Sequence, residues 1–444
     1  MSLTLAGYTF TSPLAAEWAT LDDHLYGMDT YGRQANWSAV ESFYSAPFSP
    51  AGEAVSDFLA PADFGPLDLL YYYYGADEAK EFVSHATWGT GFAAGWDDVS
   101  RREMLTKGSA YRNVLYRVWQ LLSEGVQSCA SASVPAGAGA AAAGLELPVP
   151  GVYEWEAAWA AFAGSREGAD GAGKGYSIYA LGDKRCPQFK TCVGGTASGL
   201  TASNEAARAA LVAGIDAFTA AAALRATLPA SDPAVARACL GALAPQRAFK
   251  SASLVGLVQG TLREAYEVAF DPDGHGKVEV AEGWAFAAPL LPLIAECDAS
   301  VGETIHTNMW LNADVNVKDG FAAVKSAIEA VYGCLGITCA EVGGMLGDDG
   351  EYLTGFEPCG TTPAPPPSAP PSAPPAGGHD HGGVPSELCY PGVVPIFETP
   401  GGVALMVLTV IFGLLTIALT VRVLVMANGK NTALKGEVEV RGAV

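Results

Sequence analysis

The sequence predicts a mainly α protein: two similar helical halves forming an extracellular helical bundle, followed by one transmembrane helix. Three observations lead there. Residues 101–124 place Tyr111, Val114, Leu115, Val118, Trp119 and Leu122 at the spacing of one helical face. Shifted by 143 residues, the pattern meets Leu254, Leu257, Val258, Thr261, Leu262 and Ala265, with Lys107 on Lys250 and Glu124 on Glu267. Such self-similarity reads as a repeat. Finally, 21 residues from Gly401 to Val421 carry no charge, enough at about 1.5 Å per residue to cross a hydrocarbon core of roughly 30 Å.

At 444 residues, half of them apolar, the chain exceeds what one core normally fills. Its 47 acidic residues against 25 basic ones give a net charge of −22. That balance argues against nucleic acid as a partner and raises the local concentration of cations.

The first half is expected over 1–129. Residues 14–44 read as helical and contain Asp22, Asp23 and His24, with Asp29 five residues beyond His24. Asp23 and His24 are possible additional metal ligands, although a lone histidine on a helix is more often a surface or core residue. Asn36-Trp37-Ser38 is a glycosylation sequon, usable if this part is extracellular. The run Tyr71 to Tyr74 reads as helix packing with hydroxyls at the rim. Small residues over 130–150 form the linker between the halves.

The second half is expected over 151–360. It opens with the helix YEWEAAWAAFAG, followed by the glycine-rich SREGADGAGKG, which lacks the order of a phosphate loop. Its most suggestive stretch is DPDGHGKVEVAE. Asp271, Asp273, His275, Glu279 and Glu282 occupy positions 1, 3, 5, 9 and 12, with Gly276 at position 6. That is the spacing of a helix–loop–helix calcium site. Imidazole at position 5 tilts the donor set towards a transition metal, and no second loop pairs with it. Pro289 and Pro292 are expected to interrupt the exit helix. His306, near Asp298 and Glu303, is a further possible ligand, and Asp319 can cap the helix after it.

Nine cysteines favour disulfides and an oxidising exterior over a zinc site, since no CxxC pair exists. Cys186 with Cys192 and Cys334 with Cys339 are the candidate bridges, each close in sequence with Pro187 or Gly336 to turn the backbone. Cys359 and Cys389 bracket the proline-rich stretch and are candidates to join its ends. A semi-rigid stalk is expected over 361–400, the membrane helix over 401–426 and a short tail over 427–444. Lys430, Lys435 and Arg441 mark the tail as cytoplasmic, which puts the N-terminal part outside at the plasma membrane. The opening MSLTLAGYTF is too short and too polar to read as a signal peptide.

The segments EAAWAAFAGS, YSIYALGDKRCPQF, LVQGTLREAYEV, AEGWAFAAPLLPLI and AIEAVYGCLGITCAEVGG resemble the algal iron-assimilation protein family. The resemblance covers Tyr153 to Cys359 and implies an extracellular helical protein, induced by iron limitation, that concentrates iron for uptake. It brings no ligand residues with it, and a membrane tether departs from the mostly secreted pattern. No GxSxG, HExxH or Walker sequence argues for an enzyme. The expectation is therefore a non-enzymatic, cell-surface iron-binding protein, acting beside an iron transporter or reductase. Its alternative is a calcium-binding adhesion or wall-attachment protein using loop 271–282 structurally.

Overall fold

Twelve successive residues, Val152–Ala163 (α6), are all buried, which an amphipathic surface helix never achieves. The computed structural model describes residues 3–58, 73, 76–131, 149–194, 200–229, 232–270, 276–313 and 315–360. Among them α6 is the helix around which the N-terminal part wraps. Trp155, Trp159 and Phe162 supply its apolar mass, and its two acids both accept hydrogen bonds inside. Glu156 accepts hydrogen bonds from the Tyr8 hydroxyl, the Thr11 hydroxyl and the Thr11 and Ser12 backbone amides at 2.7–2.8 Å. Glu154 accepts one from Ser128 at 2.8 Å. These bonds fasten the short antiparallel hairpin of β1 (Thr4–Leu5) and β2 (Tyr8–Thr9), and the turn after it, to the core.

The remaining helices follow in order. In the first part they are α1 (Leu21–Gly32), α2 (Trp37–Ser45), α3 (Ala76–Trp88), α4 (Asp98–Gly108) and α5 (Val114–Ala130). After α6 come α7 (Ile178–Phe189), α8 (Ala202–Arg225), α9 (Pro233–Leu240), α10 (Leu243–Phe270), α11 (Lys277–Cys297), α12 (Ala299–Met309) and α13 (Phe321–Ala330). A π-helical turn, Ser109–Asn113, joins α4 to α5 without a break.

The mainly helical expectation is met. Residues 1–364 make one compact unit. Here α6 packs on α5, α11 packs on α4, and a single apolar cluster runs from Leu5 to Phe356. Close approach makes this possible. A Cβ on Gly214 of α8 would lie 1.7 Å from the Trp155 ring, so only glycine lets α8 seat against α6.

Pro289 and Pro292 do not interrupt α11, which runs through both. Tertiary packing overrides the local penalty: the stretch from Gly283 to Ile294 is buried, and the Tyr116 hydroxyl donates to the Pro289 carbonyl at 2.9 Å. Two described helices, α8 and α11, are long and apolar enough to cross a membrane by length and composition alone, and α11 is mostly buried in this core. The linker at 132–148 and the stalk, span and tail at 361–444 lie outside the described residues.

Four disulfides cross-link the unit. Cys186 is bonded to Cys192. Cys334 and Cys339 are not bonded to each other: Cys334 joins Cys297 at the end of α11, and Cys339 joins Cys359. The latter bond also removes Cys359 as a partner for Cys389. Nearness in sequence was a poor guide because Cys334 and Cys339 belong to separate single helical turns, Tyr332–Leu335 and Cys339–Val342. The fourth bond, Cys129 to Cys239, spans 110 residues and ties α5 to α9. Closing so long a loop removes much entropy from the unfolded chain.

Candidate functional site

A cavity of about 290 Å³ opens where α1, α4, the π-turn, α7 and α11 meet. Each element brings charge to it: Asp29 and Arg33 from α1, Glu103 and Lys107 from α4, Lys184 from α7 and Glu282 from α11. Tyr111 of the π-turn, Gly175 and Tyr176 complete most of the wall. The π-turn inserts an extra residue into the helix, which re-aims the side chains beyond the insertion, and such turns often accompany functional sites.

The charges are arranged as a chain. Arg33 Nε donates to Asp29 at 2.8 Å, and the Tyr176 hydroxyl donates to the same carboxylate at 3.2 Å. Arg102 stands 3.5 Å from Asp29 and also pairs with Glu103. Lys107 bridges Glu103, at 3.1 Å, and Glu282. Burial pushes the Glu103 carboxyl up, but Lys107 and Arg102 outweigh it and hold the group below its usual range. For Glu282, burial and the nearby Glu264 and Glu103 win over Lys107 and leave it raised. Lys184 stands at the rim with no ion-pair or hydrogen-bond partner among the described residues. Desolvation, then Arg185 and Lys107, depress its ammonium.

Behind the wall lie two further clusters. Arg185 and Glu264, both almost wholly buried, pair at 3.0 Å, with Arg263 also 2.6 Å from Glu264. On the other side, Asp22 and Glu167 are buried beneath the glycine-rich loop. Asp22 accepts from the backbone amides of Tyr176 and Arg166 at 2.6 and 3.1 Å, and Glu167 from Gly175 at 2.7 Å. A Cβ on Gly175 would come within 2.5 Å of Glu167 Oε1 and 2.7 Å of Asp22 Oδ2. Burial pushes Asp22 up to about 6, and it pushes Glu167 up to about 7 with help from Asp22 and Asp183.

Those of the residues singled out from sequence that are described form no group of three or more metal donors. Asp271, Asp273 and His275 lie outside the described residues. Glu279 has one buried oxygen, Oε2, without a hydrogen-bond partner among the described residues. Glu282 is engaged by Lys107 in the cavity. Asp23 pairs with Arg166 at 2.8 Å. His24 meets the Phe43 carbonyl at 2.9 Å through Nδ1, its ring against Phe43 and Phe48. His306 packs against Tyr73 and Trp310, and burial depresses its imidazole. Asp319 bonds Asn308 at 2.8 Å instead of capping α13, whose N-cap is Gly320. Among the described residues, no three His, Cys, Asp or Glu side chains are grouped to hold a metal ion.

Asp29, Arg33, Glu103, Lys107 and Lys184 were missed as site residues. One signal was available: Glu103 and Lys107 lie eight and four residues before Tyr111, so they extend its buried face with charge. Comparison with known proteins finds no matching family model, no matching curated protein and no matching solved structure.

Proposed function

We propose that this chain is a non-enzymatic binding protein of the cell exterior whose cavity takes iron as a complex with a small organic anion. The observation that carries the reading is the cavity's double charge, with Lys184 unpartnered among the described residues at its rim and Asp29, Glu103 and Glu282 within. A bare cation is a poor match for walls that also hold Arg33, Lys107 and Lys184. A carboxylate complex carries much of the metal's coordination itself and presents anionic oxygens to those groups. Four disulfides support the exterior location, and the iron itself rests on the resemblance of residues 153–359 to the iron-assimilation family.

Calorimetric titration with ferric citrate, citrate, ferric ion and calcium tests it. Saturable binding of ferric citrate, weakened at least about tenfold by Lys184→Gln, is expected from the loss of one charge-assisted contact. Absence of ferric citrate binding overturns the reading. A second reading, calcium at loop 271–282, is favoured by the buried oxygen of Glu279 that has no hydrogen-bond partner among the described residues. In that case calcium binds, Glu279→Gln weakens it and Lys184→Gln has no effect.

A further inference from the structure

Asn36 stands at the start of α2 and is exposed, following a turn in which Ala35 takes φ of 52°. Its carbonyl oxygen Oδ1 caps the helix, accepting from the Ala39 amide at 3.3 Å. The cap explains an asparagine here but uses only that oxygen. The amide nitrogen Nδ2 makes no hydrogen bond among the described residues. Two positions on, the exposed Ser38 donates its hydroxyl to the same Oδ1 at 3.2 Å. The cap has no need of Ser38, because the Asn36 to Ala39 bond is complete without it. The half-buried Trp37 between them lies under the Arg101 guanidinium, 4.3 Å from its ring centroid, which holds this end of α2 against the body and leaves Asn36 and Ser38 outside.

We propose that Asn36 carries an N-linked oligosaccharide. Asn36-Trp37-Ser38 is the one Asn-x-Ser/Thr sequence in the chain, and the four disulfides point to the oxidising compartments in which that modification is made. The co-reactant is an oligosaccharide joined to a lipid diphosphate. Nδ2 attacks the anomeric carbon and forms the carbon–nitrogen bond. The bond from that carbon to the diphosphate oxygen breaks, the lipid diphosphate leaves with the electron pair, and Nδ2 loses one proton. The remaining N–H and the Oδ1 cap are kept, so the modified residue still begins α2. The inference depends on the exterior location and is independent of which ligand the cavity takes.

The full chain, secreted by a eukaryotic host beside a known glycoprotein, decides the matter. An amidase that cleaves glycosyl-asparagine should lower its mass and leave aspartate at position 36 in the recovered peptide. Asn36→Asp and Ser38→Ala should each abolish the mass change, and Ser38→Thr should keep it. Since aspartate caps a helix as well as asparagine, Asn36→Asp should match the thermal midpoint of Ser38→Ala, which keeps Asn36 unmodified, separating loss of glycan from loss of fold. Recovery of the peptide with Asn36 wholly unmodified, while the companion glycoprotein is glycosylated, overturns the proposal.

Discussion

Two buried sets of carboxylates lie on either side of the cavity wall, and they are neutralised by different means. Glu103 and Glu282 are paired with side-chain cations, Lys107 above all. Asp22 and Glu167 are held by backbone amides of the loop, with Arg166 as a nearby charge. The Lys107 and Arg102 charges outweigh the desolvation of Glu103, while the loop amides do not outweigh that of Asp22 and Glu167. Glu103 is accordingly held below its usual range, whereas Asp22 and Glu167 are raised to about 6 and about 7. Glu103 gains from being ionised; Asp22 and Glu167 gain from being neutral, and Glu282, raised despite Lys107, sides with them.

The sharpest way to break the contrast is to strip a cation-paired acid of its charge. Glu264→Gln leaves Arg185 buried without its counter-ion, and urea unfolding at neutral pH should show a loss of about 3–5 kcal/mol. Replacing Arg185 by Met in the same chain should restore part of that loss, because no uncompensated charge then remains.

Acidity separates the two regions next. A carboxyl raised in the folded state contributes stability that is fully present below its unfolded pKa and lost as pH rises through the folded one. For Asp22 and Glu167 the loss should fall between about pH 4 and about pH 7, on the order of 3 kcal/mol for each. Thermal midpoints across that range should therefore decline more steeply in the parent than in Glu167→Gln. Glu103 has the opposite sign: its contribution is present above the usual glutamate range and lost as pH falls. A parent profile no steeper than that of the variant would remove the distinction between the regions.

Lys107→Met should cost about 1–3 kcal/mol at neutral pH, since it leaves Glu103 and Glu282 facing each other without their shared cation. Its deficit should shrink as pH falls and those acids become neutral, which chemical unfolding at two pH values would measure. The smallest effect belongs to the exposed pair of Arg166 and Asp23 beside the loop. Asp23→Ala should change stability by no more than about 1 kcal/mol, and less in high salt.

Much of this fold was legible in the chain. The apolar period that begins at Tyr111 lies on one buried face of the π-turn and α5, and the YEWEAAWAAFA segment is α6. The π-turn left no mark, because one inserted residue barely disturbs a period of 3.6. The site was less legible. Glu282 reads as the last ligand of a loop because it falls at position 12; that the helix beginning at Lys277 also brings it to Lys107 could not be read from spacing. Cys334 reads as the partner of Cys339 for the same kind of reason, nearness along the chain, and is bonded to Cys297 instead.

By itself the sequence determined that the chain is helical, acidic and cross-linked, since helical periodicity, net charge and cysteine usage are local or additive properties. Only the tertiary structure decided that α6 and α11 would pack against helices of the first part, and that Lys107 would meet Glu282 and Cys129 would meet Cys239. Those pairings depend on how buried faces interlock, down to a glycine at 214 that admits a tryptophan ring. No period or spacing along the chain encodes which distant face will fit.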